Sequence, residues 1–155
     1  MFRLAKRIGG KLKNKHQVLA TAESCTGGWV AQAVTAIAGS SDWFERGYVT
    51  YSNAAKQQLL GVRAVTLKRY GAVSEQTARA MARGALRRSR GTIALAITGV
   101  AGPSGGTPGK PVGTVCFAWA QGRKLRSETR RFGGTRALVR RKSVEHALRG
   151  LLRWL

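Results

Sequence analysis

Three short stretches of this 155-residue chain carry side chains that can do covalent chemistry. The first is Thr21-Ala22-Glu23-Ser24-Cys25-Thr26-Gly27-Gly28, which sets a hydroxyl beside a thiol just after the apolar run Val18-Leu19-Ala20. A strand that runs through such residues into a helical pattern presents a nucleophile at a turn. Backbone N–H groups at a helix start are free to hold an oxyanion or a phosphate. Gly27 and Gly28 remove side chains that would block that approach. Thr26-Gly27-Gly28 is therefore expected to be the anion-holding start of a helix. Taken alone, the stretch fits a simple packing turn equally well.

The second stretch is Tyr51-Ser52-Asn53-Ala54-Ala55-Lys56. With Asn53 as helix cap, Lys56 falls in the first turn, where a cation opposes the helix dipole. That placement, together with burial, lowers an amine's pKa and suits it to general-base work. Tyr51 at the strand end can relay a proton or orient the amine. Without Ser24 nearby, the same residues describe a solvated lysine on a surface helix.

The third is Gly99-Val100-Ala101-Gly102-Pro103-Ser104-Gly105-Gly106 and its continuation to Thr114. It holds all three prolines of the chain and six of its 20 glycines. A loop built of stiff and permissive residues is shaped to bring backbone close to a ligand. It is not a Walker A loop, because Pro111 follows Gly109-Lys110 and Ser104 stands where the first glycine belongs.

Other chemistries lack parts. His16 and His146 are isolated, with no acidic residue at useful spacing, so a Ser-His-Asp triad is not supplied. Six acidic residues, Glu23, Asp42, Glu45, Glu75, Glu128 and Glu145, are too few and too scattered for a carboxylate metal site or a glycosidase pair. No CxxC or Cys/His cluster suggests zinc. A hydroxyl nucleophile activated by lysine remains.

The elements that must position these groups are legible in the periodicity. Residues 3–14 read as a helix, with Phe2, Leu4, Ala5, Ile8 and Leu12 on one helical stripe and Lys and Arg opposite, as in a helix docked on the domain. Residues 16–23 read as a strand, 26–38 as a helix stopped by Gly39, 46–52 as a second strand, and 53–60 as a short helix stopped by Gly61. Ser74-Glu75-Gln76-Thr77 opens a helix of about 15 residues on a capping signal. Residues 92–102 are a nearly continuous apolar run, as in a buried central strand. A hairpin around Gly122 and a helix over 135–154 complete the chain. Strands alternating with helices, then a late hairpin, predict a three-layer α/β/α sandwich on a mixed sheet, one domain over 1–155 with residues 1–15 packed on it as a basic helix.

Composition narrows the setting. An apolar fraction of 43% and a charged fraction of 22% are ordinary for a folded domain. Cys25 and Cys116, 91 positions apart, are no disulfide framework, so a reducing compartment, the cytoplasm, is expected. No stretch approaches the ~18–20 apolar residues of a membrane span, and the basic start lacks the apolar core of a secretory signal. The formal charge is +22, with six of 28 Lys and Arg in residues 1–15 and eleven in residues 121–155. Such charge favours anionic partners, and nucleic acid stays an alternative. No zinc finger or RRM-like aromatic signature supports a dedicated nucleic-acid fold.

Read together and in order, TAESCTGGWVA, IAGSSDWFERGYVTYSNAAKQQLLGV, GAVSEQTA, ITGVAGPSGG, KPVGTV and FGGTRALVRRK resemble the CinA C-terminal domain family. The resemblance runs from about residue 3 to 154 and is closest to the stand-alone PncC-type nicotinamide-nucleotide amidases. It implies an α/β/α fold, a homo-oligomer, and hydrolysis of nicotinamide mononucleotide to nicotinic acid mononucleotide and ammonia without metal or cofactor. The family's nucleophile falls on Ser24, its lysine on Lys56 and its tyrosine on Tyr51. Backbone N–H groups near Cys25 to Gly27 would hold the oxyanion. The loop Gly102–Gly106, through Gly102, Ser104, Gly105 and Gly106, with Arg136 or Arg140, would hold the 5′-phosphate. Cys25 is the rival nucleophile, and is expected to be a packing residue lining the substrate site instead. The high positive charge departs from what the resemblance implies.

Overall fold

The computed structural model describes residues 1–155 as a five-stranded mixed sheet covered on both faces. In chain order the elements are α1 (Phe2–Asn14), β1 (Leu19–Glu23), α2 (Trp29–Thr35), a 3₁₀ turn (Ser40–Asp42), β2 (Phe44–Val49), α3 (Asn53–Leu60), α4 (Ala64–Tyr70), α5 (Glu75–Arg87), β3 (Ile93–Gly99), β4 (Thr114–Gln121), β5 (Lys124–Arg131) and α6 (Arg136–Trp154). The strand order is β2-β1-β3-β4-β5. β1 pairs in parallel with both neighbours, while β3–β4 and β4–β5 are antiparallel. The three-layer architecture expected from the sequence is the one found.

Strand alternation sorts the core into two unlike layers. Ile93, Leu95 and Ile97 of β3 and Val115, Phe117 and Trp119 of β4 face α1, α2 and α6. Ala94, Ala96, Ala118 and Ala120 face α3, α4 and α5, together with Ala20 and Ala22 of β1. Bulky residues on one face and alanines on the other let α5 approach the sheet closely. Where α5 meets α3, a Cβ on Gly84 would stand 2.1 Å from the Leu60 carbonyl oxygen, so α3 is seated backbone against backbone. Each fully buried Ile or Leu side chain stabilises by about 1.5–3 kcal/mol.

Four element readings change. β1 begins at Leu19 and not His16, because His16 turns at φ 50° and the Gln17 N–H still bonds to Leu12. β2 ends at Val49, so Thr50 to Ser52 form a corner. α2 is a seven-residue helix starting at Trp29, since Gly27 (φ 60°) and Gly28 (φ 90°) are left-handed and cannot extend it backwards. α4 was not expected: it has no side-chain cap, and its seven residues are too few to carry a periodic signal. No helix is long and apolar enough to cross a membrane.

The connections create a crevice. The chain leaves β1 into α2 on one face and leaves the adjacent β2 into α3 on the other. The carboxyl ends of parallel strands whose connections diverge in this way are where α/β sheets bind ligands.

Candidate active site

Ser24 and Lys56 meet in that crevice. Ser24 is the first residue beyond β1, held by its N–H to the Ile97 carbonyl (2.9 Å). Thr50, the first residue beyond β2, bonds through its N–H to Glu23 O (2.8 Å). The chain then turns into α3, which is capped by Ser52 Oγ accepting from the Ala55 N–H (3.0 Å). The cap is thus Ser52, one residue before the expected Asn53, because Ser52 has the extended backbone a cap requires. Lys56 still falls in the first turn. Its side chain is 1% exposed, and Nζ donates to Ser24 Oγ (3.0 Å) and to the Thr50 carbonyl (2.8 Å). Burial lowers its pKa, against a smaller opposing effect of the Cys25 thiol, and neither bonding partner is a carboxylate. With the amine neutral, the same 3.0 Å contact lets nitrogen accept the serine proton.

The turn after Ser24 differs from a helix start. Glu23 reaches under it, and its two carboxylate oxygens accept the N–H groups of Val30 (3.0 Å) and Ala31 (2.9 Å). The α2 N-terminus is therefore occupied by the protein's own anion, which corrects the expectation that Thr26-Gly27-Gly28 opens an anion-binding helix. The Gly27 N–H is also taken, by Ser24 O (3.0 Å), whereas the N–H groups of Cys25 and Thr26 have no acceptor. Arg140 lies behind the turn and not in the cavity. Its Nε and Nη2 donate to the carbonyls of Cys25 (3.0 Å) and Thr26 (2.9 Å), with the guanidinium 5.4 Å from the Trp29 ring centroid. Cys25 is 6% exposed, and burial pushes its thiol up to about 12.

A cavity of about 280 Å³ opens on this pair, near the lower end of ligand pockets at ~300 Å³. Ser24, Cys25, Lys56 and Tyr51 line it, with Gly102, Ser104, Gly105 and Arg136 opposite. The loop from Val100 to Gly113 is tied at its base by Val100 N–H to Thr114 O and Gly113 N–H to Val100 O. The N–H groups of Ala101, Gly102, Ser104, Gly105 and Gly106 take no acceptor. Gly106 packs against Val112, where a Cβ would come within 2.7 Å of the backbone nitrogen, and is outside the lining. Arg136, the first residue of α6, donates to Gly102 O (2.8 Å) and to Tyr51 Oη (3.0 Å), bridging loop and strand end. Tyr51 is 62% exposed at the mouth and bonds to Arg136, not to Lys56.

Ala72, Val73 and Thr98 also line the cavity and were not singled out from the sequence, and Asn53, read there only as a helix cap, lines it too. Thr98 carried a signal, a polar residue near the carboxyl end of a buried strand; its Oγ1 donates to Ala72 O (2.8 Å) and fastens that wall. His146 is not isolated. Its Nε2 lies 2.5 Å from Glu128 Oε1, a partner that 18 residues of separation concealed, but the pair packs among Phe117 and Phe132 and touches no part of the cavity. A larger depression of about 620 Å³, beyond Val73, is not lined by Ser24 or Lys56; in it the Thr129 hydroxyl donates to a Glu75 carboxylate oxygen (3.1 Å).

A doubly covered α/β sheet with a buried Ser–Lys contact at the carboxyl ends of its parallel strands and a glycine loop opposite defines a class of small-ligand α/β domains. The CinA C-terminal domain pattern matches residues 1–155, and the chain belongs to that family. It is 53% identical over 149 residues to the nicotinamide-nucleotide amidohydrolase PncC of Pseudomonas putida, covering 96% of this chain and 93% of that one. It is 52% identical over 153 residues to the protein of the same name from Escherichia coli K12, covering 97% and 92%. Among solved structures, the competence/damage inducible protein CihA of Agrobacterium tumefaciens superposes with a TM-score of 0.94 at 47% identity, over 97% of this chain and 93% of that one.

Proposed function

We propose that the protein is a nicotinamide-nucleotide amidohydrolase, converting nicotinamide mononucleotide and water to nicotinic acid mononucleotide and ammonia. The observation that carries this reading is the 3.0 Å contact between a buried lysine and a serine, in a chain that is half identical to proteins bearing that name.

In this reading, neutral Lys56 takes the proton of Ser24 as Oγ forms a bond to the carboxamide carbon. The N–H groups of Cys25 and Thr26 stabilise the oxyanion; such donors contribute about 2.7–4 kcal/mol each in other hydrolases. The Lys56 ammonium then gives its proton to the departing nitrogen, the C–N bond breaks and ammonia leaves. Water attacks the nicotinoyl ester, Lys56 receives its proton, and the acid leaves as the proton returns to Ser24. Gly102, Ser104 and Gly105 offer N–H donors, and Arg136 a guanidinium, to the 5′-phosphate. Tyr51 orients Arg136 at the mouth. The same reading carries a cytoplasmic homo-oligomer.

The test is ammonia release from nicotinamide mononucleotide by the purified protein, alongside Ser24→Ala. The wild type is expected to turn over and Ser24→Ala to fold without turnover. Full activity in Ser24→Ala would overturn the mechanism. Tight nucleotide binding without ammonia from the wild type would make the site a binding module.

A further inference from the structure

Lys56 and Arg136 aside, the cations behind the +22 charge do not line the amidase cavity. All six carboxylates are engaged inside the molecule: Glu23 on α2, Asp42 with Lys13, Glu45 with Arg46, Glu75 with Ser127 and Thr129, Glu128 with His146, and Glu145 within 3.9 Å of Arg149. The cations differ in how far they are answered, and Lys68 of α4, Arg87 of α5 and Lys124 and Arg131 of β5 are among those without an ion pair. On β5, Arg126 and Arg130 both bind Glu128, so the charge there is partly answered. On α1 and the far half of α6, Arg3, Arg7, Lys11 and Arg153 are exposed, and none makes a hydrogen bond or ion pair.

Of these, Arg3 and Arg7 line one groove, and Lys11 and Arg153 follow further along the same two helices. α1 and α6 run side by side: Met1, Arg3 and Arg7 share a depression of about 210 Å³ with Glu145 and Arg149, and at the other end Lys15 donates to the terminal oxygen of Leu155. Arg3, Arg7 and Lys11 repeat at i, i+4 and i+8, about 6 Å per step along the axis. Arg149 and Arg153 repeat in the same way on the facing helix. Two parallel rows of evenly spaced cations, with only Glu145 among them, suit an anion that is itself a regularly charged polymer.

We propose that the α1/α6 groove binds the phosphodiester backbone of nucleic acid, without base readout. A bilayer fits less well, because the apolar side of α1 (Ala5, Ile8 and Leu12) is fully buried in the core, leaving only Phe2 exposed to insert. The groove lies about 20 Å along α6 from Arg136, so its occupant does not cover the amidase cavity.

The experiment is fluorescence polarisation with labelled single-stranded DNA, RNA of the same sequence and duplex DNA, from about 50 to 200 mM salt, with anionic phospholipid vesicles as a fourth probe. Three proteins are compared: wild type, Arg3→Gln/Arg7→Gln/Arg149→Gln, and Lys124→Gln/Arg126→Gln/Arg130→Gln, which removes the same charge from β5. Thermal melts establish that each folds. The groove variant is expected to bind at least about tenfold more weakly, with its salt slope reduced by about 2 to 3, while the β5 variant stays within about twofold of wild type. The three oligonucleotides distinguish single strand from duplex. Absence of binding, equal losses in the two variants, or preference for vesicles would overturn the proposal.

Discussion

Lys56 reaches Ser24 because the two stand one short step beyond neighbouring parallel strands. Ser24 follows β1, while Lys56 lies one helical turn beyond the corner that follows β2, with Thr50 O receiving its second hydrogen bond. Glu23 pairs with Val49 in register, so the two chain ends leave the sheet at the same level. The pair is thereby set by sheet register before any side chain adjusts.

Replacing the amine tests its role as base. Lys56→Met is expected to lower kcat by about 10²–10⁴ while the protein still folds. Lys56→Arg should be as inactive, since a guanidinium keeps its proton. In the wild type, kcat/KM for nicotinamide mononucleotide should rise with pH through an inflection below the ordinary lysine value of 10.5. The stability effect has a definite sign. Burial lowers the folded pKa, so the unfolded chain binds more protons between that lowered value and 10.5, and stability rises with pH across this interval. Lys56→Met should therefore melt higher than wild type at about pH 7, and the gap should narrow towards about pH 10. A flat difference in melting temperature would show that the amine is not desolvated.

Cys25 is expected to be inert. With its thiol pushed up to about 12 and only 6% exposed, it holds its proton at neutral pH. Cys25→Ser should retain ammonia release within about threefold, and iodoacetamide should label Cys25 only after unfolding. Rapid labelling of the native protein with loss of turnover would move the nucleophile to sulfur.

Arg140 should act on kcat and not on KM. It donates to the carbonyl of Cys25, whose peptide bears the Thr26 N–H, so it both fixes and polarises the donor that the proposed mechanism gives to the oxyanion. Losing such a donor outright costs about 10²–10³ in rate elsewhere, which sets the ceiling. Arg140→Ala is expected to lower kcat about tenfold to a hundredfold with KM little changed, Arg140→Lys to fall between, and added guanidinium to restore part of the rate. An effect confined to KM would place Arg140 on the phosphate instead.

Gly84 measures how α3 is held. In a helix, alanine is favoured over glycine by about 1 kcal/mol, but a Cβ here would meet Leu60 O at 2.1 Å and the Leu60 carbonyl carbon at 2.9 Å. Overpacking costs about 1–3 kcal/mol, and a backbone obstacle cannot rotate away, so the clash wins. Gly84→Ala should lower the melting temperature by several degrees and reduce turnover, because α3 carries Lys56. A neutral or stabilising result would mean that α3 and α5 move apart freely.

The sequence by itself determined the layers and the residue types that meet at the crevice. Alternation in IALAITG and TVCFAWAQ sets the two faces of the core, and glycines end α3 and shape the loop, because these are short-range rules of period and backbone freedom. The serine and lysine that meet in the crevice, and the loop opposite them, were legible as residue types at strand ends. What a chain cannot disclose locally is which group claims which donor. Glu23, inside a strand, shows nothing of its role in the sequence, and Arg140 was read there as a phosphate ligand. Only the fold puts the Glu23 carboxylate on the α2 N-terminus and the Arg140 guanidinium on the turn carbonyls, 115 residues from Cys25. The same holds for His146 and Glu128. Pairing of charged and polar groups depends on distance in space and on shared burial, and tertiary packing alone supplies both.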